Sequence, residues 1–165
     1  MKNIEKLLLL TAFATTLFFT SCKEKSGGEI IDIDIDIFVE NSAGQNLFLS
    51  TTPNAIDPGS IKLIYKTGEN EVEFYQGNLD CPRNICFLND SGAERIRVFP
   101  NDTETERYPV TYIQWKAGDL DTLKCHFIRK NQGGFISCDS VWFNEMQVYP
   151  PNALVGFERA FKVVK

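Results

Sequence analysis

The segment Ile31-Asp32-Ile33-Asp34-Ile35-Asp36-Ile37 alternates apolar and acidic residues without a break. Successive side chains of a β-strand point to opposite faces, so this pattern is that of a strand with one buried face. The sequence predicts one continuous strand here, with isoleucines turned into a core and aspartates turned to solvent. Around it lie more short runs rich in Ile, Val, Tyr and Phe, at 61–66, 72–76, 93–99, 110–115, 122–130, 135–143 and 161–164. Turn clusters separate them, among them Thr67-Gly68-Glu69-Asn70, Asn89-Asp90-Ser91-Gly92, Ala117-Gly118-Asp119 and Gln132-Gly133-Gly134. Many short strands with frequent turns predict an all-β fold, a single antiparallel β-sandwich of immunoglobulin-like or transthyretin-like type with about 7–9 strands. In 119–132, Leu120, Leu123, Phe127 and Ile128 also match a helical stripe, but the turn and partner run that follow favour a strand. The 104–107 stretch is compatible with one helical turn.

The first 21 residues stand apart. Lys2 and Lys6 precede an apolar run from Leu7 to Phe19, which ends at Thr20-Ser21-Cys22. Such a run suits the apolar region of an export signal, roughly 7–15 residues, and is short for a membrane span of about 20. The pattern resembles a bacterial lipoprotein signal, with Cys22 as the lipid-modified residue after cleavage. Phe19 departs from it, since leucine is usual three places before the cysteine. Residues 1–21 are therefore expected to be removed, 22–29 to form a lipidated flexible tether, and 30–165 to form the domain. Lys23 is not the aspartate of an inner-membrane retention signal, so the expected destination is the outer membrane, with cell surface or periplasmic face left open.

Charge narrows the function classes. The chain has 17 basic and 22 acidic residues; without Lys2, Lys6 and Glu5 these become 15 and 21, a net charge of −6. That is no footprint for binding nucleic acid. Apolar content of 43% with 12% aromatics argues against disorder.

The cysteines other than Cys22 are Cys81, Cys86, Cys125 and Cys138. In an oxidising compartment, four cysteines are expected to form disulfides. Three connectivities are open, and the most local joins Cys81 to Cys86 and Cys125 to Cys138. A register with Lys130 facing Gly133 sets Cys125 opposite Cys138, Phe127 opposite Ile136 and Lys124 opposite Asp139. A slip of two residues instead sets His126 opposite Asp139. The spacings C-x₄-C and C-x₁₂-C lack the paired C-x₂-C knuckles of a zinc site.

No metal or other cofactor is predicted. Asp32, Asp34 and Asp36 do not converge on one ion, because alternate strand residues lie about 6.8 Å apart. The calcium-loop pattern also fails, with Ile37 in place of its glycine and Ala43 in place of its glutamate. His126, the single histidine, adjoins Cys125, but neighbours on a strand face opposite ways. No Gly-x-Ser-x-Gly, His-Glu-x-x-His or phosphate-binding loop is present. No catalytic residue is therefore assigned. Trp115, Trp142 and Tyr149 are candidates for a ligand platform, with core packing as the plainer reading. Tyr112 differs from Trp115 by three places, so on a strand the two face opposite sides. Asp121-Thr122-Leu123 and Asp139-Ser140-Val141 are similar to an O-glycosylation signal of Bacteroidetes-type bacteria, which makes Thr122 and Ser140 candidate sites.

The Cys22 signal, Asn41-Ser42-Ala43-Gly44-Gln45-Asn46-Leu47, Thr52-Pro53-Asn54-Ala55-Ile56 and Ile61-Lys62-Leu63-Ile64-Tyr65 follow one another in order. Pro109-Val110-Thr111-Tyr112-Ile113-Gln114-Trp115 and Asp119-Leu120-Asp121-Thr122-Leu123-Lys124 continue the series. Over most of 30–145 the chain resembles a family of small lipoproteins of Bacteroidetes-type bacteria. The resemblance implies a compact β-rich envelope domain, and it carries no activity to any residue. The expected role is a non-catalytic binding or interaction module, held to a membrane by its lipid, with a glycan or an envelope or host protein as partner. The alternatives are a carboxylate-based hydrolase acting on glycan and a structural or stress-related envelope lipoprotein.

Overall fold

The computed structural model describes residues 28–90, 93–150, 154 and 156–165. The predicted signal at 1–21, Cys22 and most of the predicted tether lie outside the described residues. The fold is an all-β sandwich of two packed sheets with eleven strands among the described residues. In chain order these are β1 (Ile30–Asp32), β2 (Ile35–Glu40), β3 (Lys62–Thr67), β4 (Asn70–Glu73), β5 (Ile85–Asp90), β6 (Ala93–Val98), β7 (Val110–Lys116), β8 (Asp119–Lys130), β9 (Phe135–Phe143), β10 (Met146–Tyr149) and β11 (Ala160–Val164). The larger sheet runs β1-β9-β8-β7-β3-β4, with β10 also on β9; the smaller runs β11-β2-β6-β5. Most pairs are antiparallel, but β1 lies parallel to β9 and β11 parallel to β2, so both sheets are mixed. No helix among the described residues is long and apolar enough to cross a membrane.

The alternating segment does not form one strand. Its first part, β1, joins the larger sheet, and its second part, β2, joins the smaller one. The chain crosses between them at Ile33 and Asp34. Period two dictates which side chains face inward but says nothing about which sheet a strand joins. Ile33, Ile35, Ile37 and Val39 all enter the core, against Leu63, Ile96, Ile113, Trp115 and Leu123.

Arg159 holds the crossing. Its Nε donates to the Asp34 carbonyl at 2.9 Å, and its Nη1 and Nη2 both donate to the Asp32 carboxylate. Its own carbonyl accepts from the Asp36 N–H at 2.9 Å, at the start of the β2–β11 pairing.

The outward aspartates are not a solvated row. Asp36 is buried on the outer face of the smaller sheet, where β6 presents Arg95 and Arg97. Arg95 Nε and Arg97 Nε each donate to its carboxylate at 2.8 Å. The edge-to-face pair Phe38–Phe157 (5.2 Å) lies beside them, and the Arg95 guanidinium sits 5.1 Å from the Phe157 ring centre. Burial alone would raise the Asp36 pKa. The hydrogen bonds and charges of Arg97 and Arg95 outweigh that, and hold the carboxyl below its ordinary value. Tyr65 ties the sheets together. Its hydroxyl donates to the Phe99 carbonyl at 2.6 Å and accepts from Asn84 Nδ2 at 2.8 Å. Burial pushes that hydroxyl far above the ordinary phenol range, so it remains a donor.

The predicted β3–β4 and β8–β9 hairpins are present, and 119–130 is strand rather than helix. The 104–107 stretch forms turns and no helix. The turn between β7 and β8 is Ala117-Gly118, and Gly118 takes φ +80°, a conformation that suits glycine.

One disulfide expectation needs correction. Cys81 and Cys86 are bonded across the turn 82–85. Cys125 and Cys138 are free and buried. The strand register explains this: Lys130 pairs with Phe135 rather than Gly133, so Cys138 faces Phe127, and Cys125 faces Val141. Burial, together with a hydrogen bond with Cys138, pushes the Cys125 thiol well above the ordinary range, which keeps it protonated and unreactive.

Two outcomes follow. Denatured but unreduced protein should take up alkylating agent at Cys125 and Cys138 only, and reduction should add Cys81 and Cys86; mass spectrometry of the four peptides reads this. Asp36→Asn should cost ~3 kcal/mol at neutral pH in urea unfolding, because it strips a buried ion pair of its shared carboxylate. Asp36's folded pKa is depressed, so its contribution is present above its ordinary value of 3.8 and is lost as pH falls through the lower folded value. The gap between wild type and variant should therefore narrow in acid.

Candidate functional site

The outer face of the larger sheet gathers the chemistry that the core does not use. Along β8, Leu123, Cys125 and Phe127 are buried, while Lys124 and His126 lie between them on the other face. Along β9, Val141 and Cys138 are buried, and Trp142 and Ser140 face outward. Cross-strand pairing sets Lys124 opposite Trp142 and His126 opposite Ser140. The extra residue Asp139 breaks the strict alternation. Bulges re-aim side chains in this way, and here Asp139 Oδ1 comes to 2.7 Å from His126 Nδ1.

Tyr108 arrives from the loop before β7. The Pro109 carbonyl accepts from the Cys125 N–H at 3.1 Å, which docks this loop on β8. The Tyr108 ring lies 5.4 Å from His126 and 5.7 Å from Trp142, perpendicular to the latter at 88°. Arg107 stacks on Tyr108 at 5.3 Å. Lys124 bonds Glu145 at 2.5 Å and lies 6.0 Å from the Trp142 ring centre. Tyr108 is 42% exposed, and the His126 and Asp139 side chains are about one third exposed, so the cluster is open to solvent.

The predicted platform of Trp115, Trp142 and Tyr149 does not assemble. Trp115 points into the core, fully buried, with Nε1 donating to Asp121 Oδ2 at 2.7 Å. It lies on β7 and Trp142 on β9, and the alternation of the two strands sends them to opposite faces. Tyr149, on β10, packs half-buried against the core. Tyr108 takes their place beside Trp142. Its only sequence signal is an aromatic residue next to a proline in a charged loop. Tyr112 also faces outward, opposite Thr122 and Ile64.

Thr122 and Ser140 are half-buried on this same face, within two central strands. Thr122 does not lie opposite Val141, whose partner is Cys125. Asp121, in the first motif, accepts hydrogen bonds from Trp115 and Asn144 and pairs with Lys165. Burial would raise its pKa, but bonds from Asn144, Lys165 and Trp115 lower it.

Two other arrangements bear on catalysis. Ser140, His126 and Asp139 are the residue types of a hydrolytic triad, yet no Ser140–His126 hydrogen bond joins them among the described residues, as activation of a serine requires. A cavity of about 410 Å³ is lined by Asp34, Asp36 and Glu158 together with Arg95, Arg97 and Arg159. A pair of hydrolytic carboxyls needs one pKa raised. Here the arginines outweigh burial and lower that of Asp36. Among the described residues, no group of three His, Cys, Asp or Glu side chains could hold a metal ion.

Comparisons with protein-family profiles, curated proteins and solved structures gave no match to this chain.

The contrast between the two tryptophans can be measured. Iodide should quench Trp142 fluorescence and leave Trp115 shielded. Trp142→Phe should therefore abolish most of the quenching, while Trp115→Phe should leave a quenchable emission.

Proposed function

We propose that the protein is an outer-membrane lipoprotein, anchored through lipid on Cys22, whose sandwich binds glycan without transforming it. The observation that carries this reading is the open cluster of Tyr108, Trp142 and His126 with Asp139, on the outer face of the larger sheet. Sugars present one face of C–H groups and a rim of hydroxyls. An aromatic ring stacks on the first, and charged or amide side chains bond the second. Here Asp139, Lys124 and Glu145 surround the rings.

The angle between the rings narrows the ligand. Perpendicular rings make a corner rather than a flat shelf, which fits one sugar unit of a soluble or branched glycan better than the surface of an ordered polysaccharide. Lipid attachment suits such a role. Two or more acyl chains anchor stably, each buried CH₂ contributing about 0.8 kcal/mol, and the glycine-bearing tether lets the domain turn its binding face.

Titration of soluble envelope and host glycans against intrinsic fluorescence tests the reading. Saturable change is expected, and Tyr108→Ala and Trp142→Ala should each weaken binding about tenfold, as the loss of a stacking ring worth ~1.4 kcal/mol would do. Binding that is unchanged in both variants, or no glycan response at all, overturns it. For the anchor, Cys22→Ala should shift the protein from the membrane to the soluble fraction, and continued membrane retention would refute lipidation.

A further inference from the structure

A second site lies away from the aromatic corner, beside the outermost strand of the smaller sheet. β4 ends the larger sheet and β5 ends the smaller one. A cavity of about 320 Å³ is lined by Ile85 and Phe87 of β5, Tyr75 from the loop after β4, Pro82 and Arg83 from the turn before β5, and Pro58. Its size is at the small end of the range for ligand sites.

The walls are apolar and held in place. Phe87 is braced edge-on by Phe48 at 5.9 Å. The loop bearing Pro82 and Arg83 is closed by the Cys81–Cys86 disulfide. It is pinned further by Gln76 N–H to the Pro82 carbonyl (2.7 Å), Asn84 N–H to the Cys81 carbonyl (2.8 Å) and Asn84 Nδ2 to the Tyr65 hydroxyl (2.8 Å). A site fixed before binding loses little ordering entropy when a ligand enters. Tyr75 is 66% and Phe87 45% exposed, and both line the cavity.

Arg83 gives this cavity a chemical preference. Its Nη1 donates to the Gly59 carbonyl, which orients the guanidinium against the cavity. It makes no ion pair among the described residues, although the chain carries an excess of acids, and no acidic residue lines the cavity. Arg95, Arg97 and Arg159 by contrast all bond carboxylates. A guanidinium beside flat apolar walls suits a ligand with a planar body and a carboxylate, the group it bonds best.

We propose that this cavity beside β5 binds a small planar carboxylate, its ring against Phe87 and Tyr75 and its carboxylate on Arg83. This reading does not depend on the glycan face, which lies on β8 and β9.

The test titrates the full-length protein with indole-3-acetate and with its uncharged twin, indole-3-acetamide, following backbone amide NMR shifts. The acid should give saturable shifts across 75–87. The amide should bind at least ~10-fold more weakly, as should the acid to Arg83→Gln, because each loses the charge-assisted bonds. Phe87→Ala should weaken both ligands. Equal binding of acid and amide, absence of saturable shifts, or shifts confined to the Tyr108 and Trp142 face would each overturn the proposal. If Arg83→Gln fails to fold, the acid and amide compared on the wild-type protein still decide it.

Discussion

A single buried guanidinium spans the point where the first strand leaves one sheet for the other. Arg159 bonds the Asp32 carboxylate on the larger-sheet side and the Asp34 carbonyl on the crossing itself. Its own carbonyl starts the pairing of the last strand with β2. The two parallel pairings of the fold, β1 with β9 and β11 with β2, both meet at this residue. Parallel neighbours need a long connection, and here nearly the whole chain lies between β2 and β11. Arg159 therefore closes the sandwich by joining its two ends.

The neighbouring charges extend the same device. Asp36 faces Arg97 directly across β2 and β6, and Arg95 reaches it from two residues away. Burying charges is costly unless each finds partners, and a buried ion pair adds little net stability over an apolar substitute. Its consequence here is register. A slip of one residue would turn the aspartates into the core and the isoleucines out, and would leave Arg95 and Arg97 without carboxylates. Phe38 and Phe157 pack against the Arg95 guanidinium and cover part of the network.

The aromatic corner depends on a smaller departure from regularity. One inserted residue in β9, Asp139, supplies His126 with a partner. The two core thiols are unbridged for a separate reason, the pairing of Lys130 with Phe135, which sets Cys138 opposite Phe127. The cavity beside β5 depends on the opposite strategy, a loop stiffened by a disulfide and by hydrogen bonds to Tyr65 and to its own backbone. Both places draw their chemistry from residues that the regular strands cannot absorb.

The β class, most strand positions and the inward-facing isoleucines were legible in the residues themselves, because side-chain period and turn composition are local properties. The β3–β4 turn and the Cys81–Cys86 bond were equally local, each closing within a few residues. The split of the 31–37 segment was not legible, since both halves carry the same alternation and only the distant Arg159 divides them. Nor was the fate of Trp115 and Trp142, two similar side chains sent to opposite faces by strands whose relative placement depends on long-range pairing. The outward aspartates read as solvated because their arginine partners lie about sixty residues further on or more. Local pattern determined what each strand would bury. Which groups would meet across the sheets was decided by tertiary pairing, because those contacts join residues whose separation leaves no periodic trace in the chain.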